Sequence, residues 1–93
     1  MNKKRTKLEV VKDILEVLKA GRRVKITHLI YKSNLSNNSI KKYLDELLSS
    51  KLISLEINEE KKFYKLTGRG MDFLNDFTKI KIFSDSYGLS EFF

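Results

Sequence analysis

Residues 36–42 read Ser-Asn-Asn-Ser-Ile-Lys-Lys, six hydrogen-bonding or cationic side chains around one isoleucine. Asn37 and Asn38 carry amides that donate and accept at once, the pattern that pairs with the edge of adenine. Ser39 can take either role, and Lys41 and Lys42 can reach a guanine edge or a phosphate. The first acid after them is Asp45, so nothing in this run repels a polyanion. Asn and Ser also gather at helix starts because they cap free amides, although Ser36 alone would meet that need. The chemistry on offer is recognition of a nucleic-acid groove by hydrogen bonds, with no covalent bond made or broken.

Charge elsewhere fits the same chemistry. The net charge is +7, and it is unevenly spread. Lys3, Lys4, Arg5 and Lys7 lie in the first seven residues, and Arg22, Arg23 and Lys25 fall within four positions of one another. Lys61, Lys62 and Lys65 flank a turn whose tip holds Glu59 and Glu60, so Lys62 and Lys65 are candidates for backbone contact along a flank rather than a tip. Cations in separate segments make a footprint for nucleic acid if the fold gathers them; otherwise they are a solvated, solubilising surface.

Other chemistries are poorly served. The chain has 93 residues, no cysteine and a single histidine, His28. Disulfides, thiolate metal sites and a Ser/His/Asp set are thereby excluded or unsupported. Gly68-x-Gly70 is too short for a nucleotide-binding loop. No cofactor and no small-molecule ligand is indicated, and an enzyme is not expected. No run approaches the roughly 20 apolar residues of a membrane span. The basic start is followed by an amphipathic stretch, not a secretory apolar core. A cytoplasmic, nucleoid-associated location is the expectation.

The elements that must position these residues follow from periodicity. Leu8, Val11, Ile14, Leu15 and Leu18 have helical spacing, which predicts a helix over 6–20, with Thr6 as its cap and Gly21 as the left-handed residue that ends it. Thr27 is expected to cap a short helix over 27–33 that packs through Leu29, Ile30 and Tyr31. Asn34-Leu35-Ser36 makes a tight turn, and Ser36 caps a third helix over 37–50 with Ile40, Leu44, Leu47 and Leu48 on its apolar face. At about 100° per residue, Asn38, Lys42 and Asp45 then face away from Leu44, with Lys41 at the flank. Ile53, Leu55 and Ile57 alternate with polar residues as a half-buried strand does. Asn58–Lys61 turns the chain, Tyr64 and Leu66 return inward with Phe63 and Lys65 outward, and a last helix runs over 69–83.

Helix, helix, tight turn, helix, hairpin, helix is the order of a winged helix-turn-helix domain: mainly α with a small β-hairpin (α+β), and a C-terminal helix beyond. In that architecture the second helix of the pair enters the major groove near its N-terminus. Tyr31-x-x-Asn34-Leu35-Ser36, Lys42-Tyr43-Leu44 and Tyr64-Lys65-Leu66-Thr67-x-x-Gly70 resemble the small archaeal winged-helix DNA-binding proteins, which include the ten-kilodalton-class chromatin proteins of crenarchaea and their plasmid and virus relatives. The resemblance covers about residues 7–80. It implies binding to double-stranded DNA as a homodimer, in host cytoplasm if the source is viral, through a last helix paired as an antiparallel coiled coil. The chain departs from that pattern near Phe83, where helical periodicity fades and the long rod looks truncated. The expected division is a mobile basic arm over 1–6, the winged domain over 7–67, and a dimerisation helix and tail over 68–93.

Five of the six phenylalanines lie in the last 21 residues, which is the chain's own reason to expect a partner. Phe73, Phe77 and Ile80 have the spacing of a paired-helix seam, and Phe83 with the tail aromatics Phe92 and Phe93 would extend it. A tail folded back over the stripe within one chain is the alternative. The favoured function is a sequence-selective transcriptional regulator. A nucleoid packing protein, or a winged helix used only for protein contacts, are the other readings; the last should carry apolar anchors where this chain has Asn and Lys.

Overall fold

Thr6 starts the first helix as expected. Its hydroxyl accepts from the Glu9 amide at 3.1 Å while the Glu9 carboxylate accepts from the Thr6 amide at 3.0 Å, a reciprocal capping box. The computed structural model describes residues 5–89, and these form α1 Lys7–Gly21, α2 Ile26–Ser33, α3 Asn37–Ser49, β1 Ile53–Asn58, β2 Lys61–Leu66 and α4 Gly68–Ser86. This is the expected winged helix-turn-helix order. The tail aromatics Phe92 and Phe93, and the expected arm apart from Arg5 and Thr6, lie outside the described residues.

The end of α1 differs from expectation. Gly21 is the last helical residue, and Arg22 takes the positive dihedral, φ 63° and ψ −66°. The Arg23 amide donates to the Gly21 carbonyl at 2.7 Å, which closes a three-residue γ-turn centred on Arg22, a rare and strained form. Glycine is needed at 21 for space: a Cβ there would sit 2.6 Å from the Val24 Cγ2.

After this turn Val24 joins the edge of β2. Its amide and carbonyl both bond Tyr64, at 3.0 and 2.7 Å. That pairing holds the chain extended up to Lys25, whose carbonyl accepts from the His28 and Leu29 amides at 3.1 and 3.2 Å. Helix α2 therefore begins at Ile26, and Thr27 lies inside it instead of capping it. Leu29 is fully buried and Ile30 half-buried, whereas Tyr31 is 79% exposed, so Tyr31 is not packing surface. Asn34 ends α2 in the left-handed conformation, φ 57° and ψ 40°, which Asn tolerates well. Ser36 then caps α3, accepting from the Ser39 amide at 3.1 Å.

Val10, Ile14, Leu15 and Leu18 of α1 meet Leu29, Ile40, Leu44, Leu47, Ile53 and Leu74 in one core. Each such side chain contributes about 1.5–3 kcal/mol on burial, and Ile40, Leu44 and Leu47 fix which side of α3 looks outward.

The hairpin runs past this core. Ile53 pairs with Leu66 at its base and Asn58 with Lys61 at its tip. Only Ile53 of the alternating set is buried; Leu55 and Ile57 are 39% and 63% exposed. Their expected burial fails because the sheet extends beyond the helices that would cover it. At the tip Glu59 and Glu60 both have positive φ, 50° and 67°, the requirement of a two-residue type I′ turn that Asn-Gly meets without strain. Replacing Glu59→Asn together with Glu60→Gly should stabilise the fold by about 1 kcal/mol. In thermal unfolding that is a rise of about 4–8 °C, and no rise would mean the tip does not hold this turn.

Thr67 ties the wing to α4. Its hydroxyl accepts from the Gly70 amide at 3.0 Å and donates to the Lys51 carbonyl at 2.7 Å. Gly70 sits so close to the chain that a Cβ would be 2.2 Å from the Leu52 carbonyl oxygen. Helix α4 continues to Ser86, three residues beyond the point where the sequence pattern fades.

Candidate nucleic-acid interface

The cap at Ser36 and the buried anchors at Ile40, Leu44 and Leu47 leave the expected groove-reading residues outward. Asn37, Asn38, Lys41 and Lys42 are exposed and Ser39 is half-buried. The Ser36 hydroxyl donates to the Ser39 hydroxyl at 3.0 Å, which leaves the Ser39 proton free to point away from the helix. Asn38 and Lys42, four residues apart, share the face opposite Leu44. Lys7, from the start of α1, joins Ser39, Lys42, Tyr43 and Glu46 around a shallow depression. Asp45, exposed on the same face three residues beyond Lys42, is the inner limit of the acid-free surface, and Glu46 adds a second carboxylate beside it.

The second expected group sits elsewhere. Arg22 and Arg23 lie at the far end of α1, and 15 residues of helical rise separate Lys7 from Arg22 by about 22 Å. Lys65 joins them: Arg22, Arg23 and Lys65 line one cleft at the base of the hairpin. Lys25 stands next along the chain, at the start of α2. Lys62 is opposite Ile57 near the wing tip, exposed. The cations thus form separate clusters instead of one continuous patch.

Two residues that sequence reasoning passed over organise the outer face of the wing. The Arg23 guanidinium lies 2.8 Å from the Glu56 carboxylate and 4.6 Å from the centre of the Phe63 ring. The Lys65 ammonium is 3.6 Å from the same carboxylate, and the Lys25 ammonium 5.9 Å from the same ring. Glu56 therefore draws on two of the cations expected to meet phosphate, although each pair is exposed enough to be weak. Phe63 is half-buried beneath the cations instead of facing water. The signal was present: a two-residue turn sets Glu56 opposite Phe63, and period-two alternation aligns both with Lys65.

Arg5 is also engaged. It pairs with Asp13 at 2.8 Å and donates to the Ser33 carbonyl at 2.6 Å, so it ties the start of α1 to the end of α2. Under the wing, burial and then the negative charge of Asp45 push the Tyr64 phenol above its ordinary pKa, so it stays neutral. Among the described residues no group of three or more His, Asp or Glu could hold a metal ion, and no helix is long and apolar enough to cross a membrane.

Of the expected dimer residues, Phe77 is only 6% exposed within its own chain, while Ile80 and Phe83 are 49% and 65% exposed. Phe73 is half-buried against the core, its ring centre 6.3 Å from that of Phe77. Phe77 is therefore largely covered within its own chain. It lies about 60° from Leu74 around the helix, on the inward side of Phe73. The stripe that remains outward is Ile80, Phe83 and Tyr87, the last 77% exposed.

A family model described as winged helix-turn-helix matches residues 4–84. The chain is 34% identical over 88 residues to the uncharacterized protein MJ0287 of Methanocaldococcus jannaschii, covering 95% of this chain and 76% of that one. It superposes on Sso10a-2, a DNA-binding protein from Sulfolobus solfataricus, with a TM-score of 0.76 and 26% identity, over 94% of this chain and 90% of that one. This agrees with the archaeal resemblance carried by Tyr31, Asn34-Leu35-Ser36 and the Tyr64–Gly70 passage. A MarR-family transcriptional regulator from Silicibacter pomeroyi superposes with a TM-score of 0.66 at 19% identity, over 72% of this chain and 47% of that one, a likeness of fold.

Proposed function

The chain belongs to the winged helix-turn-helix family, and on that footing we propose that it binds double-stranded DNA as a homodimer and selects its sites by sequence, as a transcriptional regulator does. The observation that carries this reading is the outward face of α3. Its first two turns are capped at one end, anchored in the core by Ile40 and Leu44, and offer only amides, hydroxyls and ammonium groups. A surface built for protein contact would hold apolar anchors there. That the Sulfolobus relative is a DNA-binding protein supports the same reading.

In this reading Asn37, Asn38, Ser39 and Lys42 meet base edges, while Lys41, Lys25 and Lys62 meet phosphates. Residues 7–67 form the DNA-binding domain and 68–93 the dimerisation segment. The protein works in the cytoplasm at the nucleoid.

The test is a binding comparison on a selected site and on random duplex. Asn38→Ala and Lys42→Ala should each weaken the selected site by roughly 1–3 kcal/mol, with a much smaller effect on random DNA. Equal losses on both duplexes would remove sequence selection and leave an architectural, DNA-packing role.

A further inference from the structure

At the end of α1 farthest from Lys42, a cleft of about 540 Å³ opens between α1, the base of the hairpin and the start of α4. Leu66 and Met71 form its floor, with the buried Leu18 beneath them. Its rim carries Lys19, Arg22, Arg23 and Lys65, and no acid lines it. Glu56 engages Arg23 and Lys65 from the outer sheet face, whereas Lys19 and Arg22 make no ion pair among the described residues. The γ-turn holds Arg22 in place at backbone strain, an arrangement that persists where something is positioned by it. Gly68, the first residue of α4, lines the cleft with open space above its Cα, and amides at a helix start have no intrahelical partner.

Concave volume, an apolar floor and a few convergent polar groups are the ordinary features of a small-ligand site. The charges fix the sign of the ligand. A duplex backbone is convex and wholly polar, and the cleft is a full helix length from the groove-reading residues, so the floor would be wasted on phosphate. We propose that this cleft binds an amphipathic organic anion, an aromatic or branched aliphatic carboxylate. Its apolar body rests on Leu66 and Met71, and its carboxylate meets Arg22 and Lys19 with the first amides of α4. The proposal stands apart from DNA binding and does not depend on it.

The experiment is a heteronuclear NMR titration of the full chain with 2-naphthoate, with neutral 2-naphthamide, and with inorganic phosphate. Naphthoate should give saturable shifts at Arg22, Gly68 and Met71, and naphthamide should bind at least about tenfold more weakly, as loss of a charge-assisted bond implies. Gly68→Glu places a carboxylate in the cleft without a clash, at a helix start that favours negative charge, and should abolish naphthoate binding. Gly68→Gln should retain more of it. Arg22→Ala should weaken it about tenfold or more, the loss of a charge-assisted contact. Duplex affinity, measured in parallel by anisotropy, should change less than about threefold in Arg22→Ala, well under the loss of a full backbone contact. No saturable shift up to about 10 mM naphthoate, a limit weaker than the ordinary affinity scale, would overturn the proposal. So would equal binding of the amide, which would make the cleft merely apolar. Shifts with inorganic phosphate as large as those with naphthoate, together with a uniform loss of duplex affinity in Arg22→Ala, would reassign it as a DNA-backbone contact.

Discussion

Raising monovalent salt from about 50 to about 200 mM should loosen the protein from duplex DNA roughly a thousandfold, because counterions released by phosphate neutralisation are retaken as salt rises. The magnitude follows from which cations are available, not from the net charge of +7. Arg5 is taken up by Asp13 and the Ser33 carbonyl, and Arg23 and Lys65 share Glu56. On the proposed reading Lys25, Lys41 and Lys62 would be the backbone contacts of each protomer, so a dimer would neutralise about six phosphates and log K should fall against log salt with a slope near −5. Fluorescence anisotropy with a labelled duplex at several salt concentrations measures it directly. A slope flatter than about −2, or no binding at low salt, would favour a winged helix that contacts only protein.

Placing Asp at both Ile80 and Phe83 should halve the sedimenting mass and cut affinity for a two-half-site duplex by about a hundredfold or more. The second effect is the loss of tethering between two weak half-site contacts. Ile80, Phe83 and Tyr87 follow three-then-four spacing on one exposed stripe, with Phe73 one heptad before Ile80. Burial of each large apolar side chain against a second copy is worth about 1.5–3 kcal/mol, while a carboxylate in that seam is far more costly than the apolar area lost. A two-fold pairing would set two α3 helices on one DNA face about 34 Å apart and require a near-palindromic site. Phe77→Asp serves as the contrast: with Phe77 buried in its own chain, that change should unfold the protomer instead of merely separating it. Wild type sedimenting as a monomer at micromolar concentration would refute the dimer. A folded double variant that stays dimeric would move the axis elsewhere, to the start of α1 where Leu8 is 43% exposed.

Local features were the readable ones. The cap at Thr6, the tight turn at Asn34-Leu35-Ser36, the cap at Ser36 and the wing turn at Asn58–Lys61 are each decided by side chains within a few positions, so spacing alone revealed them. Features that failed to show in the sequence depend on contacts made far along the chain. The start of α2 is set by Val24 pairing with Tyr64, 40 residues away, and that pairing displaced Thr27 from the cap. The sharing of Glu56 between Arg23 and Lys65 needs both strands and the Val24 bridge in register before it exists. The exposure of Leu55 and Ile57 depends on where the helices stop beneath the sheet, which no alternation records. Within the site, the outward face of α3 was legible because its apolar face was; the separation of Arg22 and Arg23 from that face was not, because it depends on how α1 lies across the domain.

Among the described residues β1 has β2 on one side and no strand on the other. Its outer edge therefore offers unpaired backbone amides and carbonyls beside the exposed side chains of Leu55 and Ile57, the arrangement on which a second chain can add itself as a strand. The charges of Glu56, Glu59 and Glu60 stand along and beyond that edge. Glu59 and Glu60, which no cation pairs among the described residues, stand where like charge would oppose a second hairpin laid along that edge.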